Sequence, residues 1–556
     1  MSLSRLALLG IACSLLVLVF IEANAWAHST IFWHLMATHD LTAAWLMVGM
    51  LAFGYWFGTR RSGNGESVEQ LLLTLDCQRY VVALVLWVAL CAGTVWVYGN
   101  HPLSMDEYAA VFQAKVFAAG AMHGQFPPDL FDYLIPPGFQ NQFLMINRST
   151  GAVFSAYWPG FSLLLAPFVW LGIPWACNPT LVAASFLLIG RIARDLIASP
   201  LAAGWALLFA LASPAFVANG ITYYSMPAHL LFNLGFAWLL LAPSPLRLFL
   251  AGLVGGFALS LHNPFPHAVF AVPWILWFVT RRGQRLRNMV CLFAGYLPML
   301  LLLVAGWSLW QQNILHVGAQ ASDLAQAVNN VPPTMLERAP GLLRGFMRVF
   351  SWPDIDIVFA RLGGLAKLWL WASPLLLLLA WWGGRGEKQP GLRMLGASAL
   401  LSFLAYFVIP FDQGHGWGYR YFHSAWGVLP VLAALGMIKL AAVEGPRVLR
   451  QMALLALLSL VAANALRFVQ MGDFMAEHLA QFPPRVEAAR RIVLHNGDGY
   501  YAKDLIQNDP WLRGSQIVFL VENKADKEKI LKHFPAAQVA SKNIYGITMV
   551  ETGAGQ

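Results

Sequence analysis

The sequence predicts an α-helical polytopic membrane protein of about thirteen transmembrane helices that carries a small α/β soluble module at its C-terminal end. Composition is the first reason: of 556 residues, 58% are hydrophobic and only 11% are charged. The second is that the apolar residues gather into runs long enough to cross a bilayer. The third is an asymmetric distribution of positive charge between alternate loops.

The runs lie near 6–22, 41–58, 80–98, 180–197, 201–217, 227–242, 246–262, 264–280, 288–307, 363–382, 394–410, 425–442 and 448–466. Three regions follow: a two-span extension (1–79), a transmembrane domain (80–466) with long loops at 99–158 and 308–361, and a tail (467–556). With the N-terminus in the cytoplasm, the cytoplasmic loops hold 17 Lys and Arg and the longer outer loops only 7. The positive-inside rule selects this orientation, which puts loop 99–158 and the tail outside. One further apolar run, Pro159–Trp175, would invert every later loop if it crossed, so it reads as re-entrant or interfacial. Arg5, the apolar core after it and Ala23-Asn24-Ala25 resemble a signal peptide. The reading adopted is an uncleaved anchor, and cleavage would leave the later orientation unchanged.

The net charge of +9 is explained by this asymmetry and does not call for nucleic acid. Five scattered cysteines give neither a disulfide framework nor a zinc spacing.

The segment His101–Gly120 follows the third run directly. Ser104 and Glu107 have capping-box spacing, so a helix should begin at about Met105 and stop near Gly120. Tyr108, Phe112, Val116 and Ala119 make an apolar stripe, expected to face the membrane surface. Asp106 and Glu107 would then stand on the first turn, just outside the hydrocarbon. First-turn acids also stabilise helix N-termini with no further role, and on local grounds the two readings are equal.

The other outer segments carry further polar groups. Loop 308–361 mixes Asp323, Glu337, Arg338, Arg344, Arg348, Asp354 and Asp356 with apolar residues, as amphipathic helices or a lid would. A shorter segment is dense in Asp412, His415, Trp417, Tyr419, Arg420, Tyr421 and His423. Tyr223-Tyr224-Ser225 and His262-Asn263 occupy turns, and no HExxH spacing is present. In the tail, Arg485–Leu494 and Ala525–His533 read as helices, and Gln516–Val521 and Tyr545–Val550 as strands.

Asp106-Glu107 after a span, Tyr157-Trp158-Pro159-Gly160-Phe161, and Gly416-Trp417-Gly418-Tyr419-Arg420-Tyr421 before Leu429-Pro430 resemble the GT-C membrane glycosyltransferases. That class includes the aminoarabinose transferases of lipid A and the protein O-mannosyltransferases. The resemblance covers roughly 80–466. The chain departs from the class in having two spans before residue 80. It departs again at Tyr223-Tyr224-Ser225, where a second acid often stands.

The resemblance implies an inverting-type enzyme with a polyprenyl-phosphate-linked sugar as donor and transfer on the outer face of a bacterial inner (plasma) membrane. The acceptor would be an envelope glycan, glycolipid or protein, with membrane lipids as surroundings. Displacing phosphate at an anomeric carbon needs a base for the acceptor hydroxyl, and Asp106 is the candidate, with Glu107 beside it. The leaving phosphate needs cations: Arg420 first, then Lys115, Arg344 and Arg348. Tyr108, Trp158, Tyr419, Tyr421 and His262 are candidate sugar or acceptor contacts, although an interfacial aromatic belt would hold the same residue types. A divalent cation is left open, since no motif requires one. A lipid or sugar transporter has a similar number of spans, but it usually keeps ionisable groups near midplane, where these runs have almost none. A non-catalytic envelope assembly subunit would not need Asp106.

Overall fold

The computed structural model describes residues 2–60, 65–280, 285–316, 352–484, 486–488 and 490–551. Arg344 and Arg348, like most of loop 308–361, lie outside the described residues. The chain is an integral membrane protein built mostly of helices. Among the described residues, seven helices are individually long and apolar enough to cross a membrane, and the pair Ala202–Leu211 and Pro214–Ile221, bent by 66°, is either a broken span or a re-entrant loop. Shorter apolar helices (Met226–Leu241, Pro245–Leu259, Phe265–Thr280) fill out the bundle.

Three expected spans differ in form. The run 363–382 is two helices, Ile355–Leu370 and Leu376–Gly384, separated by a turn in which Leu375 takes φ +66°. The second expected span begins ten residues early, at Ile31, and passes through a π-turn at Met36–Asp40. The last runs on past the hydrophobic stretch, from Arg447 to Leu479, so the tail detaches near 480 and not at 467. The run after Pro159 forms a helix of only 11 residues, Gly160–Trp170. At 1.5 Å per residue it reaches about 16 Å, half of a bilayer core.

The two N-terminal helices pack into the bundle. A Cβ on Gly10 would collide with Leu375, and Ser14 accepts a hydrogen bond from the Trp369 indole at 3.0 Å. Asp40 meets Lys367 at 2.5 Å and Arg467 at 2.8 Å, all three side chains buried. The bundle therefore contains buried charge at the ends of its apolar runs. Asp40 and Arg467 fall at the ends of apolar runs in sequence, but their helices continue past those ends.

The tail forms a four-stranded sheet in the order Gln516–Leu520, Arg491–His495, Gly546–Glu551, Ala537–Asn543. The first pair is parallel and the others antiparallel. Within the expected helix Arg485–Leu494, residues 491–494 belong instead to the strand Arg491–His495, while 485 and 489 lie outside the described residues. Ile492-Val493-Leu494 is a short buried run that suits either element, and pairing on both sides decides it. Alternation is strict there: Ile492, Leu494, Ile517 and Phe519 face one apolar cluster, while Val493, Val518 and Leu520 face another.

The first of those clusters is shared with the helix Met105–Ala118. Tyr108, Phe112 and Val116 of the predicted stripe pack against the tail sheet and so face protein, whereas Ala119 falls just past the helix end and outside this cluster. Ala110, Val111 and Ala114, on the opposite side, pack into the transmembrane core. The helix is clamped between bundle and sheet, which fixes the position of its first turn.

Candidate active site

Ser104 is the N-cap residue of this helix, but the expected capping box does not form. Its hydroxyl pairs with the Tyr224 hydroxyl at 3.0 Å. Glu107 turns inward, fully buried. Its carboxylate accepts from the Leu103 N–H at 2.5 Å, the Tyr223 N–H at 2.9 Å and the Tyr98 hydroxyl at 3.0 Å. Burial pushes Glu107 up to about 7, against the pull of the two backbone donors and Tyr98. It ties the end of the preceding helix, the loop 98–104 and the 223 turn to one point.

Asp106, one residue earlier, points the other way. Its Oδ2 accepts from the Arg420 guanidinium at 2.9 Å, and its Oδ1 accepts from the Tyr157 hydroxyl. Burial alone would raise its pKa, but Arg420, His262 and Tyr157 outweigh burial and hold the carboxyl below its ordinary range. Asp106 is thus a carboxylate near neutral pH.

Arg420 is positioned by its own loop. Its backbone N–H donates to the Gln413 side chain at 2.9 Å, and its guanidinium donates to the carbonyls of Gln413 at 2.9 Å and His415 at 2.5 Å. The side chain folds back over Gly416, where φ is +133° and a Cβ would stand 2.1 Å from the Arg420 Cδ. Only glycine allows this loop to close on the arginine. The guanidinium also lies over the Tyr224 ring, 4.1 Å from its centroid.

The third side comes from 157–160 and the 260–262 turn. Trp158 N–H donates to the His262 carbonyl at 3.2 Å, and Gly160 N–H donates to the Ser260 carbonyl at 2.8 Å. Tyr157 and His262 place their rings 3.8 Å apart, centroid to centroid. The structure therefore brings Asp106, Glu107, Arg420 and His262 together, with Trp158 joined through its backbone.

Four other expected residues are used elsewhere. Tyr108 bonds both the N–H and the carbonyl of Asn508, each at 2.7 Å, and so anchors the tail. Tyr421 stacks on Tyr406 at 4.4 Å and donates to the Asp412 carbonyl. Tyr419 packs closely on Gly364. Lys115 is exposed on the last turn of its helix, nine residues and about 14 Å along the axis from Asp106. Tyr157 and Tyr224 touch the acid–arginine pair without having been singled out for it. Nothing in the spacing of either residue announces a contact so distant in sequence. Among the described residues, no three His, Cys, Asp or Glu side chains converge as a metal-ligand set.

No protein-family model and no curated protein sequence matches the chain. Among solved structures, it is similar to ArnT from Cupriavidus metallidurans bound to undecaprenyl phosphate. Identity is 12% and the TM-score 0.52, covering 86% of this chain and 98% of that one. ArnT from the same organism in the apo state aligns with 12% identity, a TM-score of 0.47, and 85% and 97% coverage. The fold is that of the GT-C membrane glycosyltransferases. Within this GT-C fold, the acid–arginine pair is assembled from the helix after the third span and from a loop more than three hundred residues later.

Proposed function

We propose that the chain is an inverting-type glycosyltransferase that moves a sugar from a polyprenyl-phosphate donor to a hydroxyl of an envelope acceptor, on the outer face of a bacterial inner membrane. The observation that carries this reading is the Asp106–Arg420 pair, an ionised carboxylate beside a guanidinium fixed by two loop carbonyls. The donor class is suggested by the fold, since the ArnT structure of that fold is bound to undecaprenyl phosphate.

In this reading Asp106 accepts the acceptor hydroxyl proton as the bond to the anomeric carbon forms, and its charge favours the positive ring that develops. Arg420 offers its fork to the phosphate oxygens that leave. Arg420 sits against Asp106 in the structure, so arrival of the donor phosphate would draw the guanidinium from one anion toward the other. That exchange would raise the basicity of Asp106 only when donor is bound. Tyr157 holds the second carboxylate oxygen, leaving the base oriented while Arg420 turns.

The test is in vitro transfer by purified protein from a labelled polyprenyl-phosphate sugar to an envelope extract. It is paired with mass spectrometry of envelope glycans from cells with and without the gene. A missing sugar substituent in the deleted strain, restored by wild type and not by Asp106→Asn, supports the reading. Identical glycans and no transfer would remove it in favour of an assembly or transport role.

A further inference from the structure

An open cleft of about 340 Å³ lies outside the acid–arginine pair, where the tail meets the outer segment 99–158. Its size is within the range of small-ligand pockets, roughly 300–1,000 Å³. Phe139, from the outer segment 99–158, lines it together with Gly499, Tyr500, Tyr501, Lys503 and Asp504 of the tail. We propose that this cleft binds a saccharide ring of the acceptor, an uncharged or amino-bearing hexose unit. The assignment to an acceptor rests on the glycosyltransferase reading above.

Three aromatic rings and one carboxylate suit a pyranose, which offers an apolar C–H face and a hydroxyl edge. Aromatic side chains cover the face with large rigid area, and a carboxylate accepts from the hydroxyls. Charge argues against an anion. Lys503 is already paired with Glu522 at 3.0 Å, and Asp504 adds a negative group to the wall. A phosphate would meet a cation that is already neutralised and a carboxylate that repels it.

The wall is held in a conformation that packing alone does not favour. Tyr501 has φ +56°, a left-handed backbone that costs a non-glycine residue free energy. Gly499 has φ +118°, and a Cβ there would stand 2.0 Å from the Gln481 side-chain oxygen. The N-terminal extension braces the same loop. The Ile31 N–H donates to the Tyr501 hydroxyl at 3.2 Å, and the His34 ring lies 4.8 Å from that of Tyr500. Observed strain of this kind concentrates at ligand sites.

The cleft is coupled to the transfer centre through one residue. Asp504 lies 3.2 Å from the His415 imidazole, and the His415 carbonyl accepts from Arg420. A sugar seated against Asp504 therefore lies one loop away from the guanidinium that faces Asp106. This gives the two-span extension a part in acceptor recognition, through the loop it supports.

The experiment uses full-length protein in lipid nanodiscs and saturation-transfer NMR with three soluble probes: glucosamine, N-acetylglucosamine and inorganic phosphate. Undecaprenyl phosphate binding is measured on the same samples. Saturation of ring C–H protons of at least one sugar is expected. Tyr500→Ala and, from a different segment, Phe139→Ala should each weaken that sugar at least about tenfold while undecaprenyl phosphate still binds. Two variants from separate segments guard against one that fails to fold. Absence of sugar saturation, equal sugar binding in both variants, or competition by phosphate would overturn the site. Sugar binding that depends on Tyr500 in a protein that ignores undecaprenyl phosphate would keep the saccharide site and remove the transferase reading.

Discussion

Asp106 and Arg420 stand 314 positions apart in the chain and 2.9 Å apart in space. The first is fixed by a helix clamped between bundle and sheet, the second by a loop folded over Gly416. Asp106→Asn keeps the size of the side chain and its bond to Tyr157 but removes charge and basicity. Turnover should fall by about 10²–10⁴-fold, the usual worth of a positioned base. Stability should fall as well. Asp106 is not an exposed cap, so loss of its charge leaves a buried guanidinium short of a partner and should cost about 1–3 kcal/mol. Transfer assays alongside apparent Tm separate the effects; near-normal turnover in well-folded Asp106→Asn would exclude it as the base.

Arg420→Lys keeps the charge and loses the fork. A lysine ammonium cannot serve the Gln413 and His415 carbonyls, Asp106 and a phosphate in one plane. Turnover should drop by about 10²–10³-fold. The affinity for undecaprenyl phosphate should weaken as well, and unchanged lipid binding would take the phosphate role away from Arg420.

Glu107→Gln should act on stability more than on turnover. Two backbone N–H groups, of Leu103 and Tyr223, share the two carboxylate oxygens. An amide has one oxygen, so one N–H is left facing an NH₂ group, at about 1–3 kcal/mol. The pH dependence has a defined sign. With its carboxyl raised from 4.5 to about 7 by burial, wild type binds the proton more tightly when folded. That contribution is present in full below about pH 4.5 and is lost as pH rises through about 7. The Tm gap between wild type and Glu107→Gln should therefore narrow from pH 5 to pH 8. A gap that widens would mean the ionised form is the one the site prefers.

The membership of the elements was legible in the sequence because apolar periodicity and loop charge are local signals. Tyr108, Phe112 and Val116 form three of the four positions of the expected stripe, and Gln516–Leu520 forms within the expected strand. What they would face was not legible. The stripe meets Ile492, Leu494, Ile517 and Phe519 of the tail, a partner some four hundred residues away that no local pattern names. The failed capping box has the same origin. Ser104 and Glu107 have the right spacing, yet Tyr224, Tyr98 and the Tyr223 N–H are their partners in the buried core. Asp106 with Arg420 could be proposed only through loop-charge counting together with resemblance. Tyr157 and Tyr224 needed the coordinates.

Orientation can be tested directly. A reporter fused after Arg287 should read cytoplasmic, because loop charge places that turn inside, and one fused after Gln556 should read external. The same side for both would break the thirteen-span topology and move the acid–arginine pair to the wrong face for a polyprenyl donor presented outside.

The last prediction concerns the charges buried between the N-terminal extension and the core. Asp40 contacts Lys367 at 2.5 Å, Arg467 at 2.8 Å and the Trp371 indole at 2.7 Å, with Asp40 fully buried and the two cations 1% exposed. Arg467 also bonds the Gln470 side chain at 3.0 Å and lies over the Trp371 ring. Each helix involved, 31–60, 355–370 and 447–479, contributes one charge. Asp40→Asn strands two buried cations, and breaking a buried pair of this kind costs about 3–5 kcal/mol. Folded yield should collapse. Adding Lys367→Met should restore most of it, because the remaining cation, Arg467, keeps Gln470, the His39 carbonyl and the Trp371 face. Folded yield and apparent Tm of the single and double variants in nanodiscs decide the matter. A double variant no better than Asp40→Asn would mean that Asp40 acts through Arg467 and Trp371 alone, with Lys367 a bystander in the staple.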